Sequence, residues 1–361
     1  MELVNKIRLK AGISTDALSL ECKQKVRNNT VIIILVIMLI ATFFLSFTIG
    51  RYAISLQELM NIFVSKLLNL PITWDETVET VLFNVRIPRI LAAILIGAAL
   101  STSGAAYQGL LKNPMVSPDI LGASAGAGFG AALAILMSLD IVGIQLSAFI
   151  IGMVAVFLTY TISKIIARGN NVVLVLILTG MVVSALFSSF ISVTKYVADP
   201  ESKLSAITFW LMGGLSSIMA KDTFSLLIPF FLGIIPLFLL SWKLNVLSFS
   251  DEEAQAMGID TGKVRLIIIV CSTLLTASAV SICGIIGWIG LIIPHIARLI
   301  VGSNYKVLLL VSMLIGSTFL LGVDDLARSA FVKEIPLGIL TSIIGAPFFI
   351  YLLLKSSRRS K

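Results

Sequence analysis

The sequence predicts an all-α polytopic membrane protein, and three observations support that prediction. The 361 residues are 58% hydrophobic and only 13% charged, with a mean hydropathy of +1.04, whereas soluble domains are about 45–50% apolar and about 25% charged. The apolar residues fall into repeated runs of about 20, the length of a helix that crosses about 30 Å of hydrocarbon. Basic residues flank these runs, as expected of a membrane protein, because Lys and Arg next to transmembrane helices set the orientation of the chain. We therefore interpret the chain as a membrane protein rather than one with a large soluble core.

Ten apolar runs are predicted to span the membrane. Residues 1–30 are polar and basic, and the first run is too long for a signal-peptide core. The stretch Leu266–Ala297 is too long for one crossing, and Gly284, Gly287, Gly290 and Pro294 favour a break within it. The predicted spans are Val31–Ile49, Ile90–Leu111, Ile120–Leu139, Ile144–Ile166, Val172–Val193, Phe224–Trp242, Leu266–Cys283, Ile285–Ala297, Val307–Val323 and Ile335–Leu354.

An even number of spans places both termini in the cytoplasm. In that arrangement 18 of the 27 Lys and Arg residues lie in segments assigned to the inner side. Nine spans would put the basic tail outside, against the positive-inside rule. The predicted organisation is a basic cytoplasmic segment at 1–30, one ten-helix domain at 31–355 in the cytoplasmic membrane, and a basic cytoplasmic tail at 356–361.

The charge distribution and the residue types present exclude or disfavour several classes of function. The net charge of +8 is explained by residues that flank apolar runs, so nucleic-acid binding is excluded. The three cysteines and His295 are scattered, which disfavours a metal or redox site, and we expect no cofactor in this chain. The stretch "GIDTGKV" is one residue short of a P-loop and has Val264 where Ser or Thr should hold magnesium. Several spans lack ionisable residues, which disfavours proton coupling, although sodium coupling stays open.

Small residues recur every four positions in the second and third spans. Such faces let helix backbones approach closely, and close packing is what drives helix association in lipid. We interpret both faces mainly as helix-packing surfaces, with pathway lining as the second interpretation. The residues are Gly97, Ser101, Ala105, Gly109, Gly122, Gly126 and Gly130.

The stretch "LSFSDEEAQAMGIDTGKVR", residues 247–265, is the longest polar segment between spans on the predicted inner side. Acidic residues favour the start of a helix and glycine favours its end, so the pattern predicts a short surface helix and a turn. We interpret it as a docking element for a cytoplasmic partner, the alternative being a solvated loop. The candidate residues are Asp251, Glu252, Glu253, Ala254, Met257 and Gly258.

Several stretches resemble the permease family of ATP-binding-cassette importers for iron–siderophore complexes, haem and cobalamin, of the FecCD or BtuC type. They include "RIPRILAAILIGAALSTSGAAYQGLLKNPMVSPDILGASAGAG", "EEAQAMGI", "GIIGWIGLIIPHIARLIVG", "DDLAR" and "EIPLGILTSIIGAPFFIYLLLK". The resemblance implies a BtuC-like fold with ten spans and a homodimer whose pathway runs along the dimer axis. It also implies two separate ATPase subunits, which bind ATP and magnesium and contact residues 247–265, and an extracytoplasmic binding protein.

The resemblance also implies roles for individual residues. Arg86, Arg89 and Arg328 would receive glutamates of the binding protein at the outer mouth. The inner gate would lie near Asn113, Pro114 and Met115 and in the loop Gly169–Val173, which contains Asn171 and Val172.

Two other classes of function stay open at this stage. A stand-alone secondary transporter would use an ion gradient without an ATPase. A membrane enzyme is the weakest alternative, because the spans hold no paired carboxylates and no nucleophile with a base. The cargo also stays open, since family members with similar motifs carry different cargo, and an oxyanion such as molybdate fits the same architecture.

Overall fold

The computed structural model describes residues 15–50, 52, 54–68, 74–167, 171–330 and 333–359, and in these ranges the chain is helical without β-strands. We number the helices α1 to α14 in chain order. They are α1 Thr15–Thr48, α2 Leu56–Leu68, α3 Ile87–Leu110, α4 Ala123–Leu136, α5 Ile141–Ala167, α6 Val172–Val197, α7 Lys203–Met212, α8 Ala220–Leu239, α9 Ser241–Leu247, α10 Asp251–Ala256, α11 Thr261–Cys283, α12 Ile289–Val301, α13 Tyr305–Ser329 and α14 Leu337–Arg359. A short helix, Glu76–Thr80, and a π-helical turn, Val81–Arg86, lead directly into α3.

Every predicted span overlaps a helix, but only seven helical stretches in the described ranges are long and apolar enough to cross a bilayer. These stretches are Lys23–Thr48 of α1, the stretch that contains α3, and the helices α5, α6, α8, α11 and α13. The other three predicted spans correspond to α4, α12 and the apolar part of α14, Leu337–Leu352. A helix of 14 residues such as α4 is about 21 Å long, which is shorter than the hydrocarbon layer. The count of ten crossings therefore stays a prediction, as does the side on which the termini lie.

The break predicted within Leu266–Ala297 is present. Helix α11 ends at Cys283, Gly284 follows with φ +71°, and α12 begins at Ile289 after Trp288 with φ +72°. The predicted start of the eighth span at Ile285 is wrong, because the chain is not helical from Gly284 to Trp288. The sequence prediction also missed α7, which has only ten residues.

Helices α3, α11 and α13 form the centre of the bundle. Of the most apolar window of α11, 72% is buried, against 17% for α1 and 22% for α6. Helix α3 packs against α13, α11 and α12, while α4 packs against α5 and α6. The outer helices expose many large apolar side chains, as expected of surfaces that face lipid.

Helix α3 defines the two ends of the molecule. Arg89 lies in its first turn and Lys112 lies just beyond its last residue, so the two are about 35 Å apart along the axis. Lys112 pairs with Asp251 of α10. We call the two ends the arginine end and the Asp251 end.

Candidate functional site

Arg89 is the centre of a buried group of charges at the arginine end. Its Nη2 atom donates to Asp324 of α13 at 2.8 Å, and its Nη1 atom donates to Glu334, just before α14, at 3.1 Å. Asp324 is fully buried, whereas the side chain of Glu334 is 30% exposed. One guanidinium group therefore ties the start of α3 to the end of α13 and to the segment that leads into α14.

Arg328 joins the same group from the last turn of α13. It donates to Asp325 and to the backbone carbonyl of Ser46 on α1, the latter at 2.7 Å. Its Nε atom lies 3.7 Å from Asp324. Arg86 donates to the backbone carbonyls of Phe47 and Tyr52. We call Arg86, Arg89, Arg328, Asp324, Asp325 and Glu334 the arginine cluster.

The structure differs from the expectation that three arginines face outward at the mouth. Arg86, Arg89 and Arg328 are only 4%, 7% and 5% exposed, and three carboxylates lie among them. Buried cations of this kind need charged partners, because removing an ion from water costs several kcal/mol unless its charge is matched. A carboxylate from a binding protein could reach Arg89 only by exchange with the carboxylates already present.

The sequence analysis did not name the acidic members of this cluster, although a signal was available. Asp324 and Asp325 precede Arg328 by four and three residues, the helical spacings at which opposite charges meet. No local signal links Arg89 to Asp324, because these residues are 235 positions apart.

A cavity of about 470 Å³ opens beside Arg89 and Glu334. Trp210 of α7 and the segment from Gly213 to Ser217 form part of its wall, and Gly284 in the break after α11 forms another part. The short helix α7 and the broken region before α12 thus give the arginine end a concave surface, and the part-exposed ion pair of Arg89 and Glu334 lies at its edge.

Helix α10 forms the main polar feature of the Asp251 end. Ser250 accepts a hydrogen bond from the Glu253 backbone at 3.1 Å, and the Glu253 side chain accepts one from the Ser250 backbone at 2.9 Å. This reciprocal capping box fixes the start of a helix that is too short to be stable alone. Gly258 follows with φ +80°, a conformation that favours glycine. The predicted short helix and turn are therefore both present.

Asp251 connects α10 to two neighbouring elements. Its carboxylate accepts from Arg265 of α11 at 2.8 Å and from Lys112 after α3 at 3.2 Å. Partial burial raises the pKa of Asp251, but the hydrogen bonds and charges of Arg265 and Lys112 outweigh that effect and hold the pKa below its usual value. Glu252 and Met257 are exposed, while Ala254 is buried beneath the helix. A force applied to α10 would thus pass to α3 and α11 through Asp251.

The predicted gate residues lie on two separate segments. Asn113, Pro114 and Met115 are exposed in the turn after α3, where the Asn113 side chain accepts from the Met115 backbone at 2.9 Å. Asn171 has φ +49° and immediately precedes α6, which begins at Val172. Gly169, which the prediction includes in this second segment, lies outside the described residues.

The small residues of α3 and α4 lie where helices approach most closely. A Cβ atom added at Gly97 would lie 2.3 Å from the Gly316 carbonyl oxygen of α13, and one added at Gly316 would lie 2.2 Å from the Ser101 hydroxyl. Gly109 lies against the Tyr305 ring in the same way. Ala105 is fully buried. No residue with a side chain fits at these glycine positions without a shift of the neighbouring helix.

Helix α4 uses its glycines against α5. Gly126 lies beside Ala155, and Gly130 lies beside the Ser147 carbonyl oxygen, with added Cβ atoms at 2.6 and 2.4 Å. Gly122 differs from the expectation of a packing residue. It has φ +92° and precedes the first residue of α4, so its role is conformational.

Comparison with known proteins identifies the family. The model of the FecCD transport family matches residues 38–355, which is most of the chain. The chain belongs to the FecCD transport family. Members of this family are permease subunits of ATP-binding-cassette importers rather than enzymes, which agrees with the helical, apolar architecture described above. The family also implies that the protein lies in a membrane.

Three curated family relatives differ in the cargo that their names give. A molybdate import system permease protein of Haemophilus influenzae is 40% identical over 324 residues, covering 90% of this chain and 95% of the relative. A probable iron chelatin transport system permease protein of Helicobacter pylori is 40% identical over 280 residues, covering 78% and 84%. A cobalamin import system permease protein of Halobacterium salinarum is 38% identical, covering 77% and 74%.

A solved structure supports the fold. It shows a metal-chelate type ATP-binding-cassette transporter in an inward-facing conformation and has a TM-score of 0.81, with 38% identity over 91% of this chain and 99% of the other. A second solved structure, PsaBC from Streptococcus pneumoniae in complex with Fab, has a TM-score of 0.53 at 19% identity and supports the fold alone.

Proposed function

We propose that this chain is the membrane-spanning subunit of an ATP-driven importer that moves a metal chelate across the cytoplasmic membrane. Two copies would form the pathway, two separate ATPase subunits would supply the energy, and an extracytoplasmic binding protein would deliver the cargo. Both termini and the Asp251 end would then face the cytoplasm. Family membership and the relatives named for iron chelatin and cobalamin support this proposal.

The main structural support for the proposal comes from α10, its caps and its ion pairs. This exposed helix is capped at its start, ends in a left-handed glycine and is joined by Asp251 to both α3 and α11. A partner that moves α10 would therefore move two central helices of the bundle. The arrangement fits an external energy source better than a stand-alone secondary transporter.

The arginine cluster supports docking of the binding protein, but through exchange of carboxylates rather than through contact with free arginines. Because Arg89 already holds Glu334, a glutamate of the partner would replace Glu334 rather than meet a free cation. Exchange of one carboxylate for another keeps the buried charge matched. It would also release the segment before α14 from Arg89, so docking would loosen the link between that segment and α3.

An oxyanion is the second candidate cargo. It is favoured by one observation, the 40% identity over 324 residues with a molybdate permease. The permease architecture is common to both candidates, so the two differ only in what the pathway and the binding protein accept.

The test is reconstitution of the chain in liposomes, with and without the ATPase and binding protein from the same source. We expect uptake of ⁵⁵Fe-labelled chelate only with ATP and all three components. ATP-dependent uptake of ⁹⁹Mo-molybdate instead would favour the oxyanion. Gradient-driven uptake by the chain alone would contradict the proposal and support a secondary transporter.

A further inference from the structure

A deep groove lies between α5 and α8, in the half of the molecule nearer the arginine end. Both helices pack along α11, but they scarcely contact each other. The Thr223 hydroxyl of α8 donates to the Pro88 carbonyl oxygen in the first turn of α3 at 3.0 Å, which fixes the start of α8 at the arginine end. The groove has a volume of about 450 Å³, within the range of sites for small ligands, about 300–1,000 Å³.

Helix α11 forms the floor of the groove. Ser278 and Ser281 line the groove, yet they are only 3% and 5% exposed. Residues that border a cavity and are still this buried lie at the bottom of a narrow slot. A helix with its side chains is about 10–12 Å across, so the slot fits a flexible chain of methylene groups better than a helix of another protein.

The polar side chains that line the groove already donate hydrogen bonds within the protein. Ser278 and Ser281 donate to carbonyl oxygens one turn earlier on α11, at 2.7 and 3.0 Å. Ser225 donates to the Asp222 carbonyl oxygen at 2.8 Å. The Gln145 amide of α5 donates to the Asp222 carboxylate at 3.0 Å and joins the two walls at the arginine end. The other lining residues are apolar, so the groove favours an apolar occupant that needs no hydrogen bonds.

Lys221 lies at the arginine end of this groove. It shares one face of α8 with the lining residues Ser225, Ile228 and Leu232, which follow it by four, seven and eleven positions. Lys221 is exposed, and none of the ion pairs among the described residues includes it. Lysines near the ends of membrane helices extend their ammonium groups toward the lipid headgroups. One positive charge therefore lies directly beyond the apolar lining.

We propose that this groove binds an anionic phospholipid, with one acyl chain between α5 and α8 and the phosphate group beside Lys221. The groove extends about 10 Å along α8, from Ser225 to Leu232. It therefore holds the part of the chain next to the headgroup, in a leaflet whose hydrocarbon is about 15 Å thick. The bound lipid fills the space that the two helices leave and connects α5 to α8. This lipid site goes beyond the proposed import function and does not depend on the cargo.

The position of the lipid is tested by photochemical labelling. The full chain is reconstituted in phosphatidylcholine nanodiscs with a minor fraction of phosphatidylglycerol that carries a diazirine on its acyl chain. We expect labelled peptides to be enriched in the parts of α5, α8 and α11 that line the groove. Ser225→Leu fills the groove from α8 and should remove this enrichment, and Leu146→Trp fills it from α5 if the first variant does not fold. Phe224→Leu is the matched control, because this exposed neighbour does not line the groove.

The role of Lys221 is tested by native mass spectrometry, which counts the lipids bound to the delipidated protein. We expect phosphatidylglycerol to bind more tightly than phosphatidylcholine, and Lys221→Gln to reduce this preference about two- to fivefold, the usual contribution of an exposed ion pair. In the Ser225→Leu background, Lys221→Gln should have no further effect, because both changes act on one site. Lys164→Gln removes an exposed lysine from the other end of α5 and should leave the preference unchanged.

Three results would overturn the inference. One is labelling that is spread evenly over the helices and is the same in Ser225→Leu. Another is a preference for phosphatidylglycerol that Lys221→Gln leaves unchanged. The third is a rapid disulfide between two copies that carry Ser225→Cys, which would show that a second copy covers the groove. These measurements need neither ATP nor cargo, so their failure is distinct from an absence of ATP-dependent uptake by the wild-type chain.

Discussion

The two ends of the bundle handle charge in different ways. At the arginine end, three buried arginines are matched by three carboxylates of the same chain, and Glu334 is the most exposed of these acidic residues. At the Asp251 end, one carboxylate joins two basic residues while its neighbour Glu252 is exposed on the same helix. The first arrangement is internally complete, and the second leaves charge available at the surface.

This difference implies two modes of partner binding. A partner at the Asp251 end can add contacts to α10 without removing any. A partner at the arginine end must replace a contact that the chain already makes, and the replaceable one is the exposed pair of Glu334 and Arg89. In the proposed assembly, binding at that end would therefore be coupled to release of the segment before α14, whereas binding at the other end would not.

The largest expected effect is that of Asp324→Asn. This change leaves Arg89 and Arg328 buried with one carboxylate fewer, and breaking a buried pair in this way costs about 3–5 kcal/mol. We expect a markedly lower melting temperature of the purified protein in detergent. Asp140→Asn is the control, since Asp140 is an exposed residue and asparagine caps a helix as well as aspartate does. Equal melting temperatures for the two variants would show that the arginine end does not depend on its internal pairing.

Asp251→Asn tests the connection at the other end. Arg265 is buried and loses its ionic partner, which costs about 1–3 kcal/mol. Because the folded-state pKa of Asp251 is lowered, the stabilisation is complete above the ordinary carboxyl pKa of 3.8 and is lost as the pH falls through the lowered value. We expect the wild type, but not the variant, to lose this contribution between pH 5 and pH 2 in unfolding experiments. Glu252→Gln removes the neighbouring exposed charge and should resemble the wild type.

These two ends also show what the sequence could and could not predict. The short helix and turn at 251–258 were predictable because their signals are local: acidic residues at the start and a glycine at the end. The pairing of Arg89 with Asp324 was not, because it joins residues that are 235 positions apart. Arg89 was therefore interpreted as outward-facing, when in fact it is buried against an acid supplied by another helix.

The start of α4 shows a second limit. Hydropathy assigned Ile120–Leu139 to one span and placed Asp119 just outside it. The structure begins α4 at Ala123 and places the preceding residues against Thr159 and Gly180, which lie about 12 Å from the end of α5 and from the start of α6. Whether a polar turn lies at the surface or re-enters the bundle depends on these distant contacts, which hydropathy does not record.

Gly258→Ala is expected to have the next largest effect on the Asp251 end. A Cβ atom at this position would contact nothing within 4 Å, so the change acts only through the left-handed conformation at φ +80°, which costs an alanine about 1–2 kcal/mol. We expect ATP hydrolysis in the assembled transporter to continue while uptake falls severalfold. Gly262→Ala is the matched control, because it lies within α11 and should be neutral or slightly stabilising. Full uptake by the Gly258 variant would argue against α10 as the contact for the ATPase.

The smallest effect on stability is expected for Glu334→Gln. This variant nevertheless tests most directly whether a partner at the arginine end replaces a contact that the chain already makes. Arg89 keeps its buried partner Asp324, and the lost pair is part-exposed, so the cost should be about 0.2–1 kcal/mol. If docking proceeds by exchange, the variant has already lost the carboxylate that a partner must replace. The Arg89 guanidinium at the edge of the cavity then keeps only Asp324 as an ionic partner. We therefore expect the binding protein to associate faster than with the wild type, and we expect this gain to shrink as salt is raised from 50 to 500 mM, since charge steering is screened.

Surface plasmon resonance with the permease in nanodiscs measures both rates. Glu201→Gln, which changes an exposed acid before α7, controls for the change in net charge. An association rate that is unchanged relative to that control would mean that Glu334 is not the group exchanged on docking, and that the arginine cluster holds α1, α3, α13 and α14 together without receiving a partner.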